Sequence, residues 1–201
     1  MPDLNKSKVI PSKTERMFPG KKTKMGVSPA IILDNPKYPH NVGAVLRACS
    51  CFGIGQLWYS GNRIRLDGAE RLPREERMRG YHDVEWRQYD YPFDQFTDAV
   101  PVAIELVPGS QNLVEFEHPE NAVYVFGPED GSLSRQFRGF CHHFIQIPSY
   151  HCTNLSSAVY ITLYDRMAKR AQAGLEPMPD CAGHEQRGWW SWDEENIDIN
   201  K

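Results

Sequence analysis

A chain of 201 residues with a formal charge of −3 is long enough for one domain with a real core, and too acidic for a surface given over wholly to nucleic acid. Any contact with a polyanion therefore has to come from local patches. No apolar stretch is long enough to span a bilayer and the N-terminus lacks the apolar core of a secretory signal, so a cytoplasmic protein with no membrane partner is expected.

In chain order, residues 1–25 form a basic arm, with Lys6, Lys8, Lys13, Arg16, Lys21, Lys22 and Lys24 against Asp3 and Glu15. Ala30-Ile-Ile-Leu33 reads as a buried strand. A helix follows over about 41–52, where Val42, Val45, Leu46, Cys49 and Phe52 make one apolar stripe. Arg47 points away from that stripe, over the face that carries Gly43, and Asn41 or His40 is a natural N-cap. Gln56–Tyr59 is a second strand. Arg63, Arg65, Arg71, Arg74, Arg77 and Arg79 then stand against Asp67, Glu70, Glu75 and Glu76, a charge run that by itself reads as a solvated surface.

A helix is expected over 93–99 and strands over Val100–Ile104, Ala122–Phe126 and Phe144–Ile147. Gly127-Pro-Glu129-Asp-Gly131-Ser joins the strand ending at Phe126 to a helix over 132–139 beginning near Ser132. The last helix, 154–173, is stopped by Gly174 and then Pro177 and Pro179. Residues 175–201 form a separate acidic tail with Trp189, Trp190 and Trp192. Short apolar runs alternating with helical patterns signify an α/β domain over 26–174, a mostly parallel sheet with helices on both faces. Five cysteines, Cys49, Cys51, Cys141, Cys152 and Cys181, show no CxxC pair and fit reduced thiols, and no metal is assigned. His151 and the pair His142-His143 read as surface residues.

Three short segments hold the chemistry: Asn35-Pro-Lys-Tyr-Pro-His-Asn41-Val-Gly43-Ala-Val-Leu-Arg47, Phe126-Gly127-Pro-Glu129-Asp-Gly131-Ser-Leu-Ser134, and Ile147-Pro148-Ser-Tyr-His-Cys-Thr-Asn154-Leu-Ser156-Ser157. Taken singly, each also reads as an ordinary turn or cap before a helix. In identity, order and spacing together they resemble the three signature motifs of the SpoU branch of the SPOUT RNA methyltransferases.

That resemblance implies a SPOUT fold with a C-terminal deep trefoil knot, a homodimer, and transfer of a methyl group from S-adenosyl-L-methionine to a ribose 2′-hydroxyl of tRNA or rRNA. It implies a cofactor site at Glu105, Leu106, Gly127, Ile147, Thr153, Leu155 and Ser156, and a catalytic set of Arg47, Asn41, Glu129 and Asn154. Here Cys152-Thr153-Asn154 stands where the family has Ser-Leu-Asn or a close variant, and Asp130-Gly-Ser132 replaces the more usual glycine pair after the acid. The stretch Arg77-Met-Arg-Gly-Tyr81-His82 is similar to a segment of small members acting at the tRNA wobble ribose.

Chemistry restricts the role of Arg47. A sulfonium methyl is already activated, so the protein must align a poor nucleophile and manage its proton. Guanidinium holds its own proton too tightly to be an easy base. Stabilising a developing alkoxide while gripping the neighbouring phosphate is the cheaper role. The competing readings are an RNA-binding protein of the same fold without turnover, and a nucleotide-cofactor oxidoreductase, which the absence of GxGxxG after the first strand disfavours.

Overall fold

The computed structural model describes residues 28–64 and 84–179. The basic arm, the arginines from Arg65 to Arg79, the Arg77–His82 stretch, Cys181 and the three tail tryptophans lie outside the described residues. Seven strands form one sheet: β1 (Ala30–Leu33), β2 (Gln56–Tyr59), β3 (Glu85–Gln88), β4 (Val100–Ile104), β5 (Gln111–Asn112), β6 (Ala122–Phe126) and β7 (His143–Gln146). Their order is β3-β2-β1-β6-β4-β7-β5, and every pairing among the described strands is parallel. Among the described residues three α-helices accompany them: α1 (Pro39–Cys51), α2 (Arg135–Phe140) and α3 (Leu155–Gln172). By compactness the chain divides after Arg166, partway along α3.

Side chains alternate across the sheet with the period of two that a strand imposes. Ile31 and Leu33 of β1, with Tyr124 and Phe126 of β6, meet Val42, Val45, Leu46 and Cys49 of α1 and Leu155, Val159 and Leu163 of α3. Ala30 and Ile32, with Val123 and Val125, face the other way, onto Leu133, Phe137, Trp58 and Phe96. Both faces are therefore covered, which is why β1 and β6 read as unbroken apolar runs. Each large side chain buried this way contributes roughly 1.5–3 kcal/mol.

Four of the five expected strands match in full, and β7 is shifted back by one residue. Two strands are new. β3, Glu-Trp-Arg-Gln, lacks an apolar pattern because it sits at the sheet edge, where buried Glu85 is held by Arg87 and by the amide of Gln56 at 3.2 Å. β5 has two residues, too few to carry a period. The helix expected over 93–99 is a single 3-10 turn, Pro92–Gln95.

Helix starts differ from expectation. α1 begins at Pro39, whose fixed φ and missing N–H suit the first helical position, so the capping residue is Tyr38 and neither His40 nor Asn41 caps. α2 begins after Ser134, whose hydroxyl accepts from the Phe137 N–H at 3.3 Å, and not at Ser132.

Arg166 secures the fold beneath the sheet. Its guanidinium, 5% exposed, donates to the carbonyls of Pro119 at 2.7 Å and Glu120 at 2.9 Å, closing the turn that leads into β6. Replacing Arg166 by Ala removes two charged hydrogen bonds from a buried side chain to this turn, and should lower unfolding free energy by about 2–3 kcal/mol. Chemical denaturation of the variant measures this, and a loss under about 0.5 kcal/mol would exclude the role.

Candidate functional site

Sheet register brings the three sequence motifs to one edge. Leu33 of β1 pairs with Phe126 of β6, Phe126 with Ile104 of β4, and Ile104 with Ile145 of β7, so four parallel strands finish in one row. The segments leaving that row are the first motif after β1, Glu105-Leu106 after β4, the Gly127 turn after β6, and Ile147–Asn154 after β7. Crevices at the carboxyl ends of parallel strands are where open α/β sheets bind ligands.

A cleft opens there. Its walls include Ile104, Glu105, Leu106, Phe126, Gly127, Pro128, Glu129, Gln146, Ile147, Cys152, Thr153, Leu155 and Ala158. Of the sequence-predicted cofactor residues, Glu105, Leu106, Gly127, Ile147, Thr153 and Leu155 line it, while Ser156 does not. The sequence reading did not single out Ile104, Phe126 or Ala158 for it. Ile104 and Phe126 are the last residues of their strands and Ala158 lies one turn into α3, so the register, once known, would have found them.

Glu129 joins two of the motifs. Its carboxylate accepts the main-chain N–H of Lys37 at 2.7 Å, that of Tyr38 at 3.3 Å, and the side-chain amide of Asn41 at 2.6 Å. Asn41 is buried in the first turn of α1 and accepts in turn from the amide of Asn154 at 3.2 Å. Asn154 also caps α3, its side-chain oxygen receiving the N–H of Ser156 at 2.8 Å, the hydroxyl of Ser156 at 2.7 Å and the N–H of Ser157 at 3.4 Å. One chain of hydrogen bonds thus runs from the second motif through the first to the third. Capping and linking are both functions of Asn154. Arg47 is exposed on α1 and is not among the residues lining the cleft.

Two further carboxylates hold the Gly127–Ser134 turn. Glu105 accepts the N–H of Leu133 at 2.8 Å. Asp34, 5% exposed at the end of β1, accepts the N–H of Ser134 at 2.7 Å and the hydroxyl of Ser60 at 3.2 Å. Sequence reasoning missed Asp34, and an acid directly after an apolar strand was the available signal. Asp130 faces outward, where it binds Arg63 and Lys37, and these cations hold its carboxyl well below the usual carboxylate range, Arg63 first.

Gly127 owes its identity to this fold-back. A Cβ there would stand 2.9 Å from the main-chain nitrogen of Leu133 and 3.2 Å from the carbonyl carbon of Ser132, so the chain itself fills the space before any ligand arrives. His142, His143 and His151 are all exposed, and among the described residues no group of three or more His, Cys, Asp and Glu could hold a metal ion. No helix among the described residues is long and apolar enough to cross a membrane.

Comparison with known proteins bears on this arrangement. The SpoU rRNA Methylase family matches residues 28–164. A tRNA (guanosine(18)-2′-O)-methyltransferase from Aquifex aeolicus is 26% identical over 164 residues, covering 77% of this chain and 76% of that protein. The crystal structure of the A. aeolicus TrmH/SpoU tRNA modifying enzyme superposes with a TM-score of 0.64 at 23% identity, covering 82% of this chain and 87% of that one. The SpoU methyltransferase AviRb from Streptomyces viridochromogenes, in complex with AdoMet, gives a TM-score of 0.62 at 18% identity over 71% of this chain. The present chain spans 60% of the length of AviRb.

Replacing Gly127 by Ala should push Leu133 away and break its bond to Glu105, lowering stability without cofactor by about 1–3 kcal/mol, as overpacking commonly does. An unfolding midpoint unchanged from the parent protein would show that the turn has slack.

Proposed function

The chain belongs to the SpoU rRNA methylase family, and from that premise we propose that it transfers a methyl group from S-adenosylmethionine to a ribose 2′-hydroxyl of tRNA or rRNA. The observation that carries this reading is the hydrogen-bonded line Glu129–Asn41–Asn154, which unites all three motifs beside the cleft. A tRNA substrate has the support of the Aquifex relative, whose name specifies the 2′-oxygen of a tRNA guanosine.

The cleft suits the cofactor chemically. Ile104, Leu106, Phe126, Ile147, Leu155 and Ala158 offer apolar walls for a flat heterocycle, while the three loops bring main-chain polar groups to its rim. Bound there, S-adenosylmethionine supplies an electrophilic methyl on a sulfonium, which needs no further activation.

The remaining work falls to this chain's side chains. Glu129 and Asn41 hold the first motif against the second and so set where α1 presents Arg47. Arg47 orients the ribose through its neighbouring phosphate and stabilises negative charge as the 2′-oxygen loses its proton. Asn154, whose side-chain oxygen receives Ser156, fixes the start of α3 and so the loop that brings Cys152 and Thr153 to the cleft. Deep threading of the segment from β7 through α3, the knot of this fold family, is part of the same proposal. It is supported by β4 being flanked on both sides by strands that come later in the chain, β6 and β7. A homodimer is proposed on the family premise alone.

Two outcomes test the proposal. Arg47→Ala should lower methyl transfer to RNA by about a hundredfold to a thousandfold with cofactor affinity retained. Near-normal turnover by the folded variant would remove Arg47 from catalysis. Iodoacetamide should label exposed Cys152 and Cys51, and react slowly with buried Cys49 and with Cys141, whose thiol is pushed up to about 12 by burial. S-adenosylmethionine should then protect Cys152, which lines the cleft, and leave Cys51 unaffected. Equal protection of both, or of neither, would put the cofactor elsewhere.

A further inference from the structure

On the outer side of the Glu129 turn, three residues from separate segments converge. Arg63, just beyond β2, donates Nη1–H to Asp130 Oδ1 at 2.8 Å and Nη2–H to Oδ2 at 2.7 Å. Lys37, of the first motif, places its ammonium 3.0 Å from the same Oδ2. Two parallel N–H donors with an ammonium beside them form the geometry that grips two non-bridging oxygens of a phosphate. Here a carboxylate fills it.

Three observations favour phosphate as the other occupant. The side chains of Arg63, Lys37 and Asp130 are 28%, 37% and 44% exposed, so a polyanion can reach the cations and Asp130 can swing aside. Exposed ion pairs are worth little in water, so exchanging one oxyanion for another costs little. The nearby Glu129 carboxylate accepts its hydrogen bonds from the Lys37 and Tyr38 N–H groups and from Asn41 and reaches Arg63 only as a charge at a distance, so Asp130 is the acid a phosphate would displace.

The position suits a nucleotide next to the one being methylated. Lys37 contributes its side chain to this cluster and its main-chain N–H to Glu129, so cluster and site share a residue. Tyr38, 41% exposed, stacks on His40 with ring centres 5.3 Å apart and lies 5.1 Å below the Lys37 ammonium. Engaged by both neighbours, the ring braces the Lys37 side chain at this position.

We propose that Lys37 and Arg63 form a seat for a backbone phosphate of the RNA substrate, and that Asp130 occupies this seat until the RNA displaces it. The inference rests on reading the chain as an RNA methyltransferase and adds where the backbone is held. In a chain of net charge −3, self-neutralisation at this point keeps the cations from indiscriminate anion binding.

The test is binding of fluorescently labelled tRNA to the full chain at several potassium chloride concentrations, with methyl-transfer kinetics alongside. Arg63→Gln and Lys37→Gln should each weaken binding and reduce the log–log salt slope by about 0.7 to 0.9, raising KM for RNA far more than they change kcat. Asp130→Asn should tighten binding, because it removes the internal competitor and leaves both cations. Calorimetry with S-adenosylmethionine shows that each variant is folded. If both cation variants bind RNA with unchanged affinity and slope, or if Asp130→Asn weakens binding as much as Arg63→Gln does, the cluster is a structural clip and the proposal fails. Failure of the parent protein to bind or methylate any RNA would instead overturn the functional reading, and this inference with it.

Discussion

Glu129 is the joint on which the candidate site depends. A carboxylate that accepts two main-chain N–H groups and one side-chain amide ties the turn after β6 to a segment about ninety residues earlier in the chain. Because an ionised carboxylate has acceptor capacity and no donor, it can serve all three at once, whereas an amide side chain would offer one oxygen and set its NH2 group against donors. Asn41 depends on this arrangement. With its amide committed to Glu129, its oxygen is free to receive Asn154, and the third motif joins the other two.

Carboxylates recur in the same capacity nearby. Asp34 and Glu105 each take a main-chain N–H of the turn between Gly127 and α2, at the ends of β1 and β4. A loop leaving a buried parallel strand exposes amides that the sheet can no longer satisfy, and acids at the ends of neighbouring strands can serve them. Glycine at position 127 follows from the same closeness, since the turn bends back onto its own strand end. The rim of the cleft is therefore held rigid from below, and the apolar walls carry little polar chemistry of their own.

An acidic chain can handle an acidic polymer when its cations are gathered rather than spread. Around the site, Asp34, Glu105 and Glu129 point their charges into main-chain amides, while Lys37 and Arg63 remain on the outer surface with a single acid, Asp130, between them. Sequence counting treats all these residues as one charge ledger, but the fold separates acids that build the loop from cations that face solvent. Arg63 illustrates the difference: within its charge run it reads as one more solvated arginine, and in the fold it is half of a fork on Asp130.

What the sequence determined by itself is whatever depends on neighbours in the chain. Ala30–Leu33 and Ala122–Phe126 are runs of apolar residues with no polar interruption, so burial on both faces was legible, and with it a parallel α/β sheet. The stripe of α1 was legible for the same local reason. Motif identity led to Glu105, Leu106, Gly127, Ile147, Thr153 and Leu155, which line the cleft, and not to Ile104, Phe126 or Ala158, which line it too. Only the tertiary structure decided what those residues do to one another. Asn41 looked like a cap, but the helix starts earlier, at Pro39, and a carboxylate from a distant turn holds the Asn41 side chain; Gly127 was expected at the cofactor site, and its own loop leaves no space for a Cβ there. Edge strand β3 carries a polar pattern because Gln56 of β2 and Arg87 of β3 itself satisfy Glu85 in place of apolar packing. The outcomes at Asn41 and Glu85 turn on contacts between residues far apart in the chain, and the pairing of strands that creates those contacts has no signature in any one stretch of sequence.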